Sequence, residues 1–467
     1  MHLQVGPSIE RTLYPIPDQW HALGTSIYQL LDSQAVKWTL IDPVAFAEQG
    51  QVKPFCPLLM WIGVYPESLS YHAAIAAAEA IKEILAQAGF PEIEAPYYED
   101  TGALYLRVSS ADKRTVILTA THVARPPPAF TNAGVSRRRN GQGTQEIVAL
   151  GSEGYSRAVT SMLSVIGDFA SSIDIWNDNI ARLSEPAEGG EEDEETAETR
   201  KEYLDLVDRA EKKIEKINKL HSDVTRSRTT PAHRTIGFVL HAEPIAVSDG
   251  PHKFTRDWAL VELYEDKIDW VSFKGNKVYV GMFSIASHSI IARFQPTVIF
   301  ILVGGNLSSS DYRMIMFPRP EAGYKYPRDG LLQANGVVKD KEIRSPQQLD
   351  ANGYKCLHVV KNGRTTGTTV GRVNGLDSST RVYTEYGIEQ TSVEVAVLPC
   401  DRKRGAFSAP GDSGAIALER GGGIVGMLTG GGGATDETDT TYLTPYWWLD
   451  EQIKKVFPGN YLYDVVQ

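Results

Sequence analysis

Residues 409–415 read Ala-Pro-Gly-Asp-Ser-Gly-Ala, and two apolar runs, Ile416 to Leu418 and Ile424 to Leu428, follow them. This pattern predicts a polar loop beside two buried strands. A serine hydroxyl becomes a nucleophile only where an imidazole takes its proton and backbone N–H groups receive the oxyanion. Gly411 has no Cβ, which lets the amides of Gly411 and Ser413 converge on one point. The same residue types form ordinary turns, so a histidine and an aspartate elsewhere must decide between the two interpretations.

The composition is that of a globular protein of roughly two to four domains, because 42% of the 467 residues are hydrophobic and 22% are charged. A net charge of −11 argues against a nucleic-acid surface or a basic membrane-binding face. The first residues lack the pattern of a signal peptide, and the most strongly apolar run, Val298 to Val303, is too short to span a bilayer. We therefore expect an intracellular, cytoplasmic protein with no nucleic-acid or membrane partner.

The three cysteines, Cys56, Cys356 and Cys400, are an odd number and lie far apart in the chain. This spacing argues against a disulfide framework and matches no metal-binding motif. We expect buried free thiols, no metal and no cofactor.

Residues 1–98 are predicted to form a separate small α+β domain. Pro57 to Tyr65 and Ile93 to Tyr98 have strand character, and the alanine-rich stretch Leu69 to Ala88 between them has the spacing of an amphipathic helix. No phosphate-binding glycine loop joins the first strand to this helix. The domain is therefore expected to serve packing or regulation rather than to hold a second active site.

Short β segments follow, and residues 99–350 are predicted to be a first β-barrel with two additions. One of its strands, Arg114 to Thr121, leads directly into His122. A lone histidine there is often only a core residue, but a rigid strand end is also where a general base must be held. The additions are a helical insertion at 151–229 and an inter-barrel connection at 264–350.

The helical insertion has apolar residues at spacings of three and four in two stretches, Tyr155 to Leu183 and Arg200 to Arg226. Such stripes predict two amphipathic helices that pack as an antiparallel hairpin. The acidic connector Glu185 to Glu198 repels itself and is expected to be disordered. The hairpin offers a surface for a protein partner.

Asp257 directly precedes the alternating strand Trp258 to Leu263. A carboxylate at a buried strand edge is costly unless it is paired, and orienting an imidazole would pair it. Residues 351–467 predict a second barrel with a hairpin turn at Asn362-Gly363 and a closing helix at Pro445 to Val456. The strands expected first are Tyr354 to Lys361, Thr366 to Val373, Thr380 to Tyr386 and Thr391 to Leu398.

His122, Asp257 and Ser413 stand in the order that chymotrypsin-type enzymes use. The stretches that carry them are Leu118-Thr119-Ala120-Thr121-His122-Val123, Asp257-Trp258-Ala259-Leu260-Val261-Glu262-Leu263 and Gly411-Asp412-Ser413-Gly414. They resemble the three signature stretches of the trypsin/chymotrypsin-like serine peptidases (PA clan). Lys361 to Gly371, which reads KNGRTTGTTVG, is similar to a stretch found in intracellular fungal and plant members. We therefore expect a fungal member of this branch.

The resemblance implies a mainly β fold with α additions, built on two six-stranded antiparallel β-barrels, and the activity of a serine endopeptidase. Ser413 would attack a peptide carbonyl, His122 would take and return the proton, and Asp257 would orient His122. The amides of Gly411 and Ser413 would bind the oxyanion. The partner would be a protein or peptide substrate.

Departures from the family pattern change some of these expectations. Val123 and Ala409 stand where the secreted members have cysteines, which fits a reducing compartment. No Ile-Val-Gly-Gly segment follows a basic residue, so the usual activation, in which a new N-terminus pairs with the residue at Asp412, is in doubt. Phe407 replaces the acidic pocket floor of trypsin-like members, so we expect cleavage after an uncharged side chain. Gly430 is expected at the rim of that substrate pocket.

Two other functions remain open. The chain is either an active peptidase or a catalytically latent scaffold that binds partners through its helical hairpin and N-terminal domain. A third reading is an esterase with the same triad, which would hydrolyse small esters but no peptides.

Overall fold

The structure is a computed structural model. The residues that it describes are 3–5, 17–48, 58–65, 77, 80, 81, 84, 101–102, 104–126, 131–137, 145–149, 152–183, 194–229, 231–271, 273–280, 307, 309–319, 326–327, 329–383, 389–400, 405–432 and 440–466.

The strands are, in chain order, β1 (Leu3–Val5), β2 (Trp38–Glu48), β3 (Leu58–Val64), β4 (Thr101–Gly102), β5 (Leu104–Arg107), β6 (Thr115–Thr119), β7 (Val135–Ser136), β8 (Glu146–Val148), β9 (Thr235–Ala242), β10 (Ala246–Val247), β11 (Thr255–Arg256), β12 (Ala259–Leu263), β13 (Lys277–Tyr279), β14 (Leu331–Gln333), β15 (Leu357–Gly363), β16 (Gly367–Tyr383), β17 (Glu389–Pro399), β18 (Ser413–Gly414), β19 (Ile416–Glu419), β20 (Ile424–Gly432), β21 (Thr440–Pro445) and β22 (Tyr461–Leu462). The helices are α1 (Pro17–Ser33), α2 (Thr121–Ala124), α3 (Ser152–Leu183), α4 (Glu194–Ser227), α5 (Ser309–Met316), α6 (Asp340–Arg344) and α7 (Tyr446–Val456).

A closed antiparallel barrel forms the C-terminal half of the molecule. Its strands run in the order β16, β15, β19, β20, β21 and β17, and β17 pairs back onto β16 to close the ring. Closure leaves no free strand edge inside the ring. The C-terminal one of the two predicted barrels is therefore confirmed as a closed barrel. The predicted closing helix is α7.

Side chains alternate between the barrel interior and a larger core outside it. On β15, Leu357 and Val359 point into the barrel, whereas Val360 joins the outer core. Along β19, Ala417 faces inward and Ile416 faces outward in the same way. Successive residues of a strand point to opposite faces, so a strand that is buried on both faces is apolar throughout. This explains the unbroken apolar runs that follow the serine loop.

The first sheet packs against this barrel through the shared outer core, which includes Leu106 and Leu118 of the sheet together with Trp448 and Leu449 of α7. Its strand order is β22, β5, β6, β12, β9 and β7, with β8 paired to β9. Within the described ranges this sheet is open. The fold is thus mixed, with one closed barrel, one open sheet and several helices, and closure of the first sheet into a barrel remains a prediction.

The antiparallel pair β6–β12 places two candidate residues at one edge of the first sheet. Thr119 at the end of β6 lies opposite Ala259 at the start of β12. His122 follows β6 in the short helix α2, and Asp257 lies two residues before β12. An antiparallel register therefore brings residues that are 135 positions apart to the same end of the sheet.

The helical insertion is an antiparallel pair of long helices, as predicted. Helices α3 and α4 pack through Met162, Ile217 and Val224, with Phe169 at the margin of the same cluster. The second helix begins at Glu194, so residues 194–198 of the connector are helical and the prediction of disorder is wrong there. Acidic side chains in a first turn are favourable because they face the positive end of the helix dipole. The rest of the connector lies outside the described residues.

One helical segment of the described chain, Ala158–Leu183, is apolar and long enough to cross a bilayer by length and composition alone. The predictions above considered only shorter apolar runs. Helix α4 packs against this helix through an apolar cluster that includes Met162 and Phe169. Cellular location therefore stays a prediction.

Two boundaries in the barrel differ from the prediction. The expected strands Thr366 to Val373 and Thr380 to Tyr386 are a single strand, β16, whose register shifts between Val373 and Asp377. Asn362 and Gly363 lie in β15 rather than in the turn, because Gly363 pairs with Gly367 and the turn consists of residues 364–366. The alternation of the sequence shows strands but not where one of them bends.

The N-terminal strands continue the barrel sheet. Strand β3 confirms the first predicted strand, but α1 and β2 were not predicted. Strand β2 pairs with β3 on one side and with Ser379 and Thr380 of β16 on the other. The described residues of the expected helix, at 77, 80, 81 and 84, are helical. The predicted strand Ile93 to Tyr98 lies outside the described residues.

The connection at 264–350 contains β13, β14, α5 and α6, and α5 confirms the short helix expected there. Strands β13 and β14 pair with each other. The Val298 to Val303 run lies outside the described residues.

A buried carboxyl group, that of Glu394 on β17, connects the barrel to β11 just before Asp257. Its Oε1 accepts hydrogen bonds from the Thr255 amide at 3.1 Å and the Thr255 hydroxyl at 2.5 Å, and its Oε2 accepts one from the Thr444 hydroxyl at 3.2 Å. Burial raises the pKa of Glu394 from 4.5 to about 7, against these hydrogen bonds. The folded protein therefore binds a proton here that the unfolded chain releases.

We predict that Glu394 makes the protein less stable as the pH rises. A raised folded-state pKa contributes stability that is complete below pH 4.5 and lost as the pH approaches 7. The loss amounts to about 3 kcal/mol. Urea unfolding of the wild type and Glu394→Gln across this range measures it, and the variant is expected to show a smaller pH dependence. Glu202→Gln, an exposed control, is expected to follow the wild type; equal slopes for all three proteins would contradict the prediction.

Candidate active site

His122 and Asp257 form a two-point contact at the edge of the first sheet. His122 Nδ1 lies 2.5 Å from Asp257 Oδ2, and the backbone N–H of His122 donates to Asp257 Oδ1 at 3.1 Å. The Asp257 side chain is 4% exposed, whereas that of His122 is 24% exposed. The carboxylate is therefore buried and fixes the imidazole, while part of the ring stays accessible.

The turn that carries His122 is anchored at one end to Trp258, the residue that follows Asp257. The Thr121 hydroxyl donates to the carbonyl oxygen of Trp258 at 2.8 Å, and the Gln145 side chain donates to the carbonyl oxygen of Ala124 at 2.6 Å. These bonds fix both ends of α2. The sequence predicts His122 at the end of the strand itself, but the residue lies in the helical turn that follows.

Ser413 lies on the short strand β18, which pairs in parallel with β4 at the entrance to the first sheet. The residue opposite Ser413 is Thr101. Cα atoms of β18 also come within 8 Å of those of β6, the strand that ends three residues before His122. Strand β18, which carries Ser413, therefore lies beside β6, the strand that leads to His122.

The loop before Ser413 is a tight turn. The Asp412 amide donates to Ala409 O at 3.0 Å, and the Ala415 amide donates to Asp412 O at 3.1 Å. Gly411 has a φ of +102°, in the left-handed region that favours glycine. A Cβ at Gly411 would also lie 2.0 Å from the Thr365 hydroxyl. Two independent constraints therefore require glycine at this position.

Asp412, between Gly411 and Ser413, points away from water into the barrel. Its side chain is 0% exposed, and that of Lys361 beside it is 1% exposed. The two charged groups are 3.1 Å apart, and the amides of Thr365 and Thr366 donate to Asp412 Oδ1 at 2.7 Å and 3.1 Å. Hydrogen bonds to Asp412 thus join the turn at 364–366 to the serine loop, residues 409–415.

The two predicted pocket residues occupy different settings. Phe407 is 1% exposed and packs inside the barrel with Val397 and Val373. Gly430 lies on β20 opposite Tyr442, and a Cβ there would meet no atom closer than 4.0 Å. The rim at Gly430 therefore has free space, and the role of both residues in a substrate pocket remains a prediction.

A histidine–thiol pair, Cys356 and His358, lies in the barrel wall. Cys356 Sγ lies 3.5 Å from His358 Nδ1, and Arg372 Nη2 donates to Asp350 Oδ2 at 2.6 Å beside it. Burial raises the pKa of Cys356 to about 11 and lowers the pKa of His358 to about 3. A thiol that holds its proton is a poor nucleophile.

The prediction of buried free thiols is confirmed for Cys356. Cys400 is only partly buried, and Cys56 lies outside the described residues. Among the described residues, no group of histidine, cysteine and carboxylate side chains could hold a metal ion.

The contacts of Lys361, Thr365 and Thr366 with Asp412 were not predicted from the sequence. Their stretch carried a family resemblance, but no role followed from it. A lysine in the middle of an apolar strand was the available signal, because lysine is almost never fully buried unless it is paired.

No family model matches this chain, and no curated protein is similar to it in sequence.

Gly363 offers a test of how tightly Asp412 is held. A Cβ at this position would lie 2.3 Å from Asp412 Oδ1, although its φ is not positive. We predict that Gly363→Ala displaces the carboxylate and lowers the free energy of unfolding by about 1–3 kcal/mol. Urea unfolding measures this loss. Gly250→Ala, where a Cβ meets no atom, is the matched control, and equal stability of the two variants would refute the prediction.

Proposed function

We propose that this protein is a serine endopeptidase that hydrolyses peptide bonds through an acyl-enzyme. The observation that carries the proposal is the contact of 2.5 Å between His122 Nδ1 and the buried Asp257 carboxylate, together with the position of the Ser413 strand beside β6, which leads to His122. We propose further that the first sheet completes a second barrel, as in the chymotrypsin-like peptidases that the three motifs resemble.

In the proposed reaction, Ser413 Oγ forms a bond to the carbonyl carbon of the substrate and passes its proton to His122 Nε2. The tetrahedral intermediate then breaks its C–N bond, and the leaving amine takes that proton. Water attacks the resulting ester, gives a proton to His122, and releases the acid as the proton returns to Ser413. No cofactor enters any of these steps.

Asp257 supports the base through geometry as well as charge. It accepts from both the backbone and the ring of His122, so the ring cannot rotate without losing a hydrogen bond. An aspartate at Nδ1 favours the tautomer with an unprotonated Nε2, the nitrogen that must accept the serine proton. Burial of the carboxylate strengthens its stabilisation of the imidazolium.

The Gly411 and Ser413 amides are proposed to receive the oxyanion. The positive φ of Gly411 and the internal hydrogen bonds of Asp412 and Ala415 hold this loop in one conformation. Preorganised donors cost no reorganisation at the moment of reaction, which is why such groups contribute strongly to rate. With Phe407 at the position of the pocket floor, we propose cleavage after an uncharged side chain.

We predict that Ser413 reacts with an uncharged fluorophosphonate. Its Oγ forms a bond to phosphorus and fluoride leaves, which requires the same base and the same oxyanion donors as peptide hydrolysis. Intact-protein mass spectrometry of the full chain is expected to show a single adduct, and Ser413→Ala is expected to show none. Loss of Ser413 should lower peptide hydrolysis by about 10⁴-fold or more.

Failure of the folded wild type to form the adduct would rule out the peptidase and favour the latent scaffold. Adduct formation with turnover of small esters but of no member of a peptide library would favour the esterase. Turnover of peptides supports the proposal, and the library also reports which side chain precedes the cleaved bond.

Asp257→Asn is expected to slow adduct formation by about 10⁴-fold, because an amide at Nδ1 favours the wrong tautomer of His122. The rate constant of inactivation measures this effect. Asp350→Asn is the matched control: its carboxylate is 4% exposed and pairs with Arg372 in the barrel wall, away from the triad. A rate for Asp257→Asn within about tenfold of the wild type would contradict the role assigned to Asp257.

A further inference from the structure

A buried ammonium group lies directly beneath the serine loop. Lys361 Nζ donates to Asp412 Oδ2 at 3.1 Å and to Gly367 O at 3.0 Å, and it also donates to the Thr366 hydroxyl. These contacts use all three donors of a lysine ammonium group. Lys361 is therefore charged and satisfied within the barrel rather than directed to solvent.

The Asp412 carboxylate is equally complete. Beyond Lys361, it accepts from the Thr365 and Thr366 amides, from the Thr366 hydroxyl at 2.5 Å and from the Ala409 amide at 3.1 Å. With Lys361 these are five hydrogen bonds to a carboxylate that offers about four lone-pair sites, so no further donor fits. A free N-terminal amine, which would need one of these sites, has no place to bind.

The stretch that binds Asp412 also shapes the peptide before it. The Thr365 hydroxyl donates to Pro410 O at 2.8 Å and fills the space beside Gly411. Asp412 stands between the two proposed oxyanion donors, Gly411 and Ser413. A carboxylate held at both oxygens therefore fixes the peptide groups on either side of it, and hence the direction of their N–H bonds.

We propose that Lys361 is a positioning residue that supplies, from within the chain, the cation that sets the oxyanion loop. In the usual activation of the trypsin/chymotrypsin-like peptidases that the motifs resemble, a new N-terminus supplies this cation after cleavage. Here the loop forms on folding, and the site is competent without proteolytic activation. This inference rests on the proposed serine peptidase function.

The test is the rate of inactivation by the same fluorophosphonate. Lys361→Met keeps most of the length of the side chain and removes its charge, and it is expected to slow inactivation by about 10²- to 10³-fold, the effect of losing an oxyanion donor. The pH at half-maximal rate is expected to stay at the wild-type value, because His122 and Asp257 are untouched. A merely structural defect would lower the folded fraction and leave the rate of the folded molecules unchanged.

Lys361→Met leaves the Asp412 charge buried and unpaired, which can prevent folding. The double variant Lys361→Met/Asp412→Asn removes both charges and avoids this penalty. It is expected to fold and to react at least about 10²-fold more slowly than the wild type, since a neutral pair cannot hold the loop as the ion pair does.

Two single variants serve as controls. Arg364→Met removes an exposed cation from the same turn, and Arg372→Met removes the cation of another buried ion pair in the barrel. Folded molecules of both are expected to react within about threefold of the wild type. The mass of the adduct is expected to be that of the uncleaved chain plus one probe.

The outcomes separate the two proposals. If the folded wild type forms no adduct, the peptidase proposal fails and this inference fails with it. If the wild type reacts but folded Lys361→Met or the double variant reacts equally fast, only the role of Lys361 is refuted. Reaction that appears only after the chain has been cleaved would likewise overturn it.

Discussion

Pairing between β16 and β17 is the constraint on which the C-terminal half depends, because it turns a row of six strands into a closed ring. Only the first part of β16, up to Val373, lines that ring with Val397 opposite it. After the register shift, its second part continues as a ribbon to which β2 adds. Gly371 permits this arrangement, since a Cβ there would lie 2.4 Å from Val397 Cγ1 and 2.7 Å from the Phe407 ring. The same strand therefore closes the barrel and attaches the N-terminal segment.

The closed barrel in turn determines where the serine loop meets the first sheet. Ser413 leaves the barrel on β18, which pairs with β4 and lies beside β6. The first sheet carries the other two candidate residues, one after β6 and one before β12, so the three candidate residues do not come from one sheet. Contacts such as the one between Glu394 and Thr255 hold the two parts together within two residues of Asp257. The shared apolar core packs the two parts against each other.

Local patterns predicted much of the fold and the two residues, His122 and Asp257, that are in contact. The helical hairpin, the strand after Asp257 and the closing helix each follow from periodicity over a few turns. The positions of His122 and Asp257 followed from apolar strands that end or begin beside them. Features that depend on distant partners were not predicted. Alternation along Ser392 to Val395 marks Glu394 as lying on the opposite face from Val395, but it does not reveal that Thr255 covers that face.

Gly363 illustrates the same limit from the other side. The sequence Asn362-Gly363 is a strong turn signal, and the turn does lie next to it. The requirement for glycine, however, comes from the carboxylate of Asp412, which occupies the space of the missing Cβ. A residue 49 positions later in the chain thus accounts for a local motif. No pattern within the hairpin carries that information.

The charges of Lys361 and Asp412 are better explained by orientation than by stability. Removing two ions from water is costly, and an apolar pair of similar volume often gives equal or greater stability. An apolar residue at 412 would, however, leave the amides of Thr365, Thr366 and Ala409 without an acceptor. A neutral acceptor would leave the Lys361 ammonium buried and uncompensated. Neither charge can therefore be replaced alone without leaving buried polar groups unpaired. Together the two side chains fix the orientation of the peptide groups on each side of Asp412.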